Sequence, residues 1–299
     1  MLSIDTTESK KHDAFKFIGH LKGCHKGQNV SGVHQLKQYL ETFGYLNYNV
    51  DKHHNHANHA NDDFYDDALE SAVKSYQEHY HLKVTGTLDA ETVKGMTMPR
   101  CGVPDIVNKT HQHHHHHHHN RKLIHAVSHY RFIPGNPRWQ KSHLTYSFPT
   151  SVSVPGTENV RSICARAFQK WAEVSHFTFQ EVAPDADSDI TIGFYIRNHG
   201  DGAMNAFDGP RGILAHAFQP SNGHFHFDAE ENWSENPAGP NQVDLESVAV
   251  HEIGHLLGLD HDDTVPDAIM YSRFSYGTTK RDLHDDDIRG IRALYGLNK

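Results

Sequence analysis

His251-Glu252-Ile253-Gly254-His255-Leu256-Leu257-Gly258-Leu259-Asp260-His261 reads H-E-x-x-H-x-x-G-x-x-H, three imidazoles and one carboxylate at fixed offsets. His251 and His255 are four residues apart, so on a helix they stand one turn apart on one face and can hold one ion through neutral ring nitrogens. Glu252 lies about 100° round the helix from His251, placed to reach a water on the metal rather than the metal itself. Gly258 lacks a Cβ, can take positive φ, and so lets the chain end the helix and turn back to deliver His261 as a third ligand. Three protein ligands leave a fourth position open, the arrangement of a catalytic rather than a structural zinc. The spacing therefore predicts a zinc peptidase with Glu252 as general base.

Met270, in Ala268-Ile269-Met270-Tyr271, stands nine residues beyond His261. That is where metzincin peptidases place a methionine turn beneath the metal, although Met270 taken alone reads more often as a core side chain.

The chain has 299 residues, enough for two ordinary domains. Its formal charge of −9 provides no basic field for nucleic acid, and no Lys/Arg run marks a membrane-surface patch. No stretch approaches the roughly 18 uninterrupted apolar residues of a transmembrane helix. The start, Met1-Leu2-Ser3-Ile4-Asp5-Thr6, lacks a secretory pattern, which leaves either a cytosolic chain or one without its targeting segment. Three cysteines, Cys24, Cys101 and Cys164, are too few and too odd in number for a disulfide framework.

Residues 1–30 read as an N-terminal extension. Val33, Leu36, Tyr39, Leu40 and Phe43 then follow a helical period, as do Ala68, Leu69, Ala72, Val73, Tyr76 and Tyr80, and a third helix is expected after an Asp89 N-cap. Residues 31–105 thus form a small three-helix unit with its connecting tail, and the His- and Asn-rich stretch from Asp51 to Asp63 is an exposed loop insertion. Residues 106–128 form a linker containing seven consecutive histidines, His113 to His119, read as a solvated spacer in preference to a metal-capture tract. Residues 129–299 change to short strands around helices. Strands are expected at 144–148, 177–180, 190–194, 214–218 and 224–227, with helices over 160–171, from Asp244 or Leu245 to Leu257, and behind Asp285 to Asp287. The fold class is α+β.

Pro99-Arg100-Cys101-Gly102-Val103-Pro104-Asp105 lies at the junction. A thiolate delivered to the open zinc position would displace the attacking water, and Arg100 and Asp105 are spaced to pair across a bend and hold it there. On chemistry alone Cys101 reads as readily as a small buried apolar residue.

That heptapeptide resembles the cysteine switch of matrix metalloproteinase zymogens, and with His251 to His261 and Met270 the likeness covers nearly the whole chain. Phe17 to Cys24, Gly32 to Leu46, and His129-Tyr130-Arg131-Phe132-Ile133-Pro134-Gly135 through Trp139 resemble the plant-type members. The resemblance implies a catalytic domain with a twisted five-stranded sheet and three helices, preceded by a peptidoglycan-binding-like propeptide domain. It implies a latent zymogen that hydrolyses internal peptide bonds through a zinc-bound water, with Cys101 blocking the zinc until the propeptide is removed. The activating cut is expected between Ile106 and Ser128, with the dibasic Arg121-Lys122 a weak candidate. It further implies a monomer acting on protein or peptide substrates, extracellular-matrix or cell-wall proteins among them, outside the cell or at its surface.

Two further metal sites follow from the same likeness. His199, Asp201, His216 and His226 match a closed structural zinc site, a donor set that suits tetrahedral zinc. His224, two residues before His226, would point the same way on a strand and is a rival ligand; His226 is preferred because His226-Phe227-Asp228 matches the family element. Asp208, Asp228 and Glu231 would give side-chain oxygens to calcium, with Gly209, Arg211 and Ile213 giving carbonyls. Asp262 stands where many family members carry Ser, and Ser272 stands where proline is common, a departure that leaves the shape of the S1′ pocket wall open. A non-catalytic binding protein, its helical unit on a glycan and its histidines storing metal, would account for 30 histidines but not for a general base, a third ligand and a methionine turn in order.

Overall fold

The computed structural model describes residues 13–48, 61–107, 130–149 and 153–297. The His113 to His119 run, Arg121-Lys122, nearly all of the expected activation segment and most of the His/Asn-rich insertion lie outside the described residues. No helix is long and apolar enough to cross a membrane among the described residues.

The N-terminal part comprises α1 (Lys16–His20), α2 (Val33–Thr42), α3 (Asp67–His79) and α4 (Ala90–Met96). Local chemistry starts the last two: Asp66 accepts from the Leu69 N–H at 2.8 Å and Asp89 from the Thr92 N–H at 2.9 Å, caps worth about 1 kcal/mol each. Leu36, Leu40, Leu69, Val73 and Tyr76 close the core between the helices. The structure adds α1 to the three expected helices, with Phe15, Ile18, Leu21 and Cys24 buried in that same core. Five helical residues are too few to show a period, so only packing reveals the role of this segment.

The C-terminal part carries β2 (His143–Ser147), α5 (Val160–Val174), β3 (Thr178–Glu181), β4 (Ile190–Tyr195), β5 (Ile213–Ala217), β6 (His224–Asp228), a small pair β7 (Trp233–Ser234) and β8 (Val243–Asp244), then α6 (Leu245–Leu256) and α7 (Asp285–Tyr295). The five expected strands form one sheet, and a sixth joins it at the edge: β1 (Arg100–Cys101), supplied by the N-terminal part. The order is β1-β5-β6-β4-β2-β3, with β5 and β6 antiparallel and the other pairs parallel. Cys101 is buried in the core of the C-terminal part, while Phe207 and Ile213 of that part are buried in the helical core. The two parts therefore share packing across their boundary.

Every residue of α6 is buried. Its start is capped by Asp244, which accepts from the Ser247 N–H at 3.0 Å. Its C-terminal carbonyls are held by distant aromatic side chains: the Trp139 indole donates to Leu256 O at 2.7 Å, and the Tyr295 hydroxyl to Leu257 O at 2.9 Å. Trp171 on α5 donates to Val250 O at 2.9 Å. These bonds fix the helix that carries His251 and His255 in both rotation and depth.

Gly254 is the close approach that seats the methionine turn. A Cβ there would collide with Met270 Sδ and lie 3.1 Å from the Trp171 ring. Gly254→Ala is therefore expected to cost about 1–3 kcal/mol by overpacking, despite alanine's better helix propensity, read as a lower Tm of the folded chain. An unchanged or higher Tm would mean that Met270 moves aside freely.

Candidate metal centre

The turn after α6 follows the expectation from Gly258. Gly258 has φ +101°, Leu257 N–H donates to Ile253 O and Gly258 N–H to His255 O, and the chain then reverses to place His261 beside the helix. The ligand atoms of Cys101, His251, His255 and His261 all lie within 4.8 Å of one another, and all four residues are buried.

Each imidazole is oriented from behind. His251 Nδ1–H donates to Ile269 O at 2.7 Å and His255 Nδ1–H to Leu259 O at 2.8 Å, so both present a bare Nε2 to the centre. Those two nitrogens stand 3.1 Å apart, and the Cys101 Sγ is 3.5 Å from His255 Nε2. Burial, with the neighbouring histidines, holds His251 and His255 well below the usual imidazole range, in the neutral form that a metal takes. His261 Nδ1 faces Asp105 Oδ1 at 3.1 Å, and its Nε2 is buried with no partner among the described residues. Two lone pairs facing each other and an orphaned ring nitrogen, all aimed at one point beside a thiol, are what a soft cation such as zinc would satisfy.

Glu252 sits on the rim of that point. Both carboxylate oxygens are buried without a hydrogen-bond partner among the described residues, and burial pushes its carboxyl up to about 8. It is not among the four converging donors. Beneath the centre, Met270 O accepts from Asp262 N–H at 3.0 Å, and Asp287 accepts from the Ile269 and Met270 amides at 2.8 and 3.1 Å. Asp287 reads in the sequence as a favourable charge at the start of α7; holding the methionine turn is a role only the fold reveals.

The Cys101 segment is fastened on every side. Its N–H donates to Ser272 O at 2.9 Å, Gly102 N–H to Ala215 O at 2.8 Å, and Arg100 N–H to Gly212 O at 3.0 Å. Arg100 and Asp105 form the expected pair, two-pronged at 3.1 and 2.5 Å and wholly buried. Burial alone would raise Asp105, but Arg100 and His261 hold it well below the usual carboxylate range. Tyr45 and Tyr80 also donate to Asp105, at 2.7 and 2.9 Å. Sequence reasoning missed these tyrosines, and it missed His79, whose Nε2 lies 2.7 Å from Asp263 Oδ2 across the boundary. Nothing local marks them, because each partner lies on another element. Cys24, Cys101 and Cys164 are all free and buried.

The second histidine group also assembles. Asp201 Oδ2 lies 3.0 Å from His199 Nε2, 2.8 Å from His216 Nε2 and 2.6 Å from His226 Nδ1. One carboxylate oxygen meeting three ring nitrogens is a ready tetrahedral donor set. His224 is exposed, its Nδ1 2.8 Å from Thr191 Oγ1, and lies outside the group.

The carboxylates proposed for calcium are placed differently. Burial first, then like charge from Asp228 on Asp208 and Glu231 and from Glu230 on Asp228, pushes Asp208 up to about 7, Asp228 to about 6 and Glu231 to about 8, and Asp208 Oδ2 and Asp228 Oδ2 lack partners among the described residues. Their oxygens do not gather within 4.8 Å as the two histidine groups do. Gly212 and Ile213 amides donate to Glu231 and Asp208 at 3.3 and 2.9 Å, and the Arg211 amide to Glu231 at 2.6 Å. The acidic neighbourhood exists, and Gly209 (φ +95°) and Arg211 (φ +65°) bend the loop around it.

A family model described as Matrixin matches residues 138–296, and one described as a putative peptidoglycan binding domain matches residues 29–96. The chain is 44% identical over 300 residues to metalloendoproteinase 2-MMP of Arabidopsis thaliana, covering 96% of this chain and 75% of that protein. It is 43% identical over 282 residues to metalloendoproteinase 1 of Glycine max, covering 92% and 85%. Against interstitial collagenase of Sus scrofa it is 40% identical over 227 residues, covering 75% of this chain and 42% of that one.

Proposed function

The chain belongs to the matrixin family of metalloendopeptidases, and on that premise we propose that it is made as a latent zymogen in which Cys101 closes the catalytic centre. The observation that carries this reading is the convergence of Cys101, His251, His255 and His261 within 4.8 Å, with the partnerless carboxylate of Glu252 beside them. His251, His255 and His261 are assigned to the catalytic zinc, and Met270 to the turn beneath it. Zinc, when bound there, polarises the scissile carbonyl and makes a neighbouring water more acidic. Glu252 takes the proton from the attacking water and passes it to the leaving amine, so one carboxylate serves both halves of the hydrolysis. The buried, water-excluding wall around α6 keeps that carboxylate basic enough to do so.

In the closed form Cys101 Sγ occupies the space that the water needs, and the Arg100–Asp105 pair locks it there. Asp105 also faces His261, so withdrawal of the segment removes a partner from a ligand as well as the thiol. We assign His199, Asp201, His216 and His226 to a structural zinc, and Asp208, Asp228 and Glu231, with the 209–213 backbone, to calcium. Protein substrates outside the cell or at its surface fit the same reading.

The test is cleavage of a quenched fluorescent peptide by the full chain, before and after a thiol-directed mercurial or limited trypsin, with metal content measured on the same sample. A latent chain that gains activity, holds two zinc ions and one calcium, and loses activity to a chelator is the expected result. A fully active chain at the outset, or one zinc alone, would overturn the latency or the second site respectively.

A further inference from the structure

Arg273 is buried, 6% exposed, yet no carboxylate pairs with it among the described residues. Its guanidinium lies 3.2 Å from the Tyr80 ring centroid and 5.3 Å from that of Tyr76, Nη2 donates to the Tyr76 hydroxyl at 2.6 Å, and Nε has no partner. Gly95 on α4 presses against it so closely that a Cβ there would stand 3.0 Å from Nη1. Tyr76, Tyr80 and Gly95 all belong to the helical unit, which leaves when the zymogen is opened. What remains is an arginine stripped of its cover.

Its place on the wall decides what it meets next. Arg273 pairs with Arg100 in an antiparallel bridge, between Cys101 N–H to Ser272 O at 2.9 Å and Phe274 N–H to Pro99 O at 2.8 Å. The 272–274 backbone therefore pairs with whatever extended chain lies in the cleft, which now is 99–101. Phe274 stands 5.3 Å, ring to ring, from His251, so that pairing is beside the reacting centre. Arg273 also lines a cavity of about 330 Å³ with Met98, Ser247, Tyr271, Phe274 and Lys280. Met98 is the helical unit's contribution to that wall and leaves with it. Among the acids nearby, Asp244 is taken by Arg281 at 2.8 and 2.5 Å and Asp263 by Ser272 at 3.0 and 2.6 Å, while Asp267 is exposed at the rim. The opened wall thus carries Arg273 and Lys280, the latter already donating to Pro266 O and Ala268 O at 3.2 and 2.7 Å, against Asp263, which gives up His79, and the rim carboxylate of Asp267.

Resting on the peptidase reading above, we propose that Arg273 is a specificity-determining residue that selects an acidic substrate side chain, at the position whose backbone pairs with Ser272 and Phe274. A guanidinium that has lost two aromatic faces and a hydroxyl regains most by a two-pronged bond to a carboxylate, and a glutamine in that place offers only a neutral amide.

The test uses the full chain opened by limited trypsin and peptide pairs differing by Glu or Gln at each position flanking the cleaved bond. One position is expected to show at least about a tenfold preference for Glu in kcat/KM, expressed mainly in KM, a size in line with one charge-assisted pair. In Arg273→Gln that ratio falls to near one, and Arg273→Lys retains part of it. Raising the salt concentration lowers the ratio in the unmodified enzyme, a readout that needs no variant to fold. A wild-type ratio near one at every position, or an undiminished ratio in Arg273→Gln, overturns the assignment. Absence of cleavage of every peptide would instead sink the peptidase reading itself.

Discussion

Replacing Glu252 by Gln is expected to lower peptide cleavage by roughly 10²–10⁴-fold in the opened enzyme, about 3–5 kcal/mol of barrier, with metal content unchanged. Glutamine has the shape of glutamate but cannot accept a proton at neutral pH, and Glu252 is not one of the converging donors. Both of its oxygens lie in a buried wall with no partner among the described residues, so exchange of one for an amide breaks no hydrogen bond that holds the fold. The measurement is kcat/KM on a quenched peptide beside zinc content and Tm. Loss of zinc together with activity would make Glu252 a structural residue, and retention of near-normal turnover would remove it from the chemistry altogether.

The second large effect is expected from Cys101→Ser. A neutral hydroxyl is a far weaker zinc ligand than a thiolate, so the block should weaken and the unopened chain should cleave peptide at least about tenfold faster than the wild type, equivalent to about 1.4 kcal/mol of lost hold. Activation should nevertheless be partial. The Arg100–Asp105 pair, Tyr45 and Tyr80 on Asp105, His79 on Asp263 and the tyrosines around Arg273 all remain. Limited trypsin is then expected to raise activity further. A serine variant as silent as wild type before trypsin would show that the helical unit blocks the cleft without the thiol; one with no further gain after trypsin would show that the thiol is the whole restraint.

These two outcomes separate what local sequence encodes from what the fold adds. A spacing of four on a helix puts His251 and His255 on one face wherever that helix is packed, and Gly258 permits the reversal to His261 because only its own φ is at issue. Asp66, Asp89 and Asp244 cap their helices through bonds three residues long, and such signals are readable because donor and acceptor are neighbours in the chain. Strand alternation likewise located the five main-sheet strands of the C-terminal part, β2 to β6, to within one residue at either end, but not the two-residue strands β7 and β8.

The choice between His224 and His226 could not be made that way. Both stand on one face of β6, and it is the position of Asp201, across the sheet's loops, that takes one ring and leaves the other in solvent. Asp105 was legible as the partner of Arg100, five residues away, but not as the acceptor for Tyr45 and Tyr80 or the neighbour of His261, 156 residues on. Sequence by itself determined the spacing of His251, His255 and His261, the place of Glu252 between them and the elements that carry them, since each rests on short-range geometry, whereas Cys101 was marked only by the resemblance of its heptapeptide. Only the tertiary structure decided that the helical unit is clasped at Asp105, Asp263 and Arg273, and that Asp287 carries the methionine turn. Those contacts join elements whose separation is set by packing, and packing leaves no period in the chain for a reader to find.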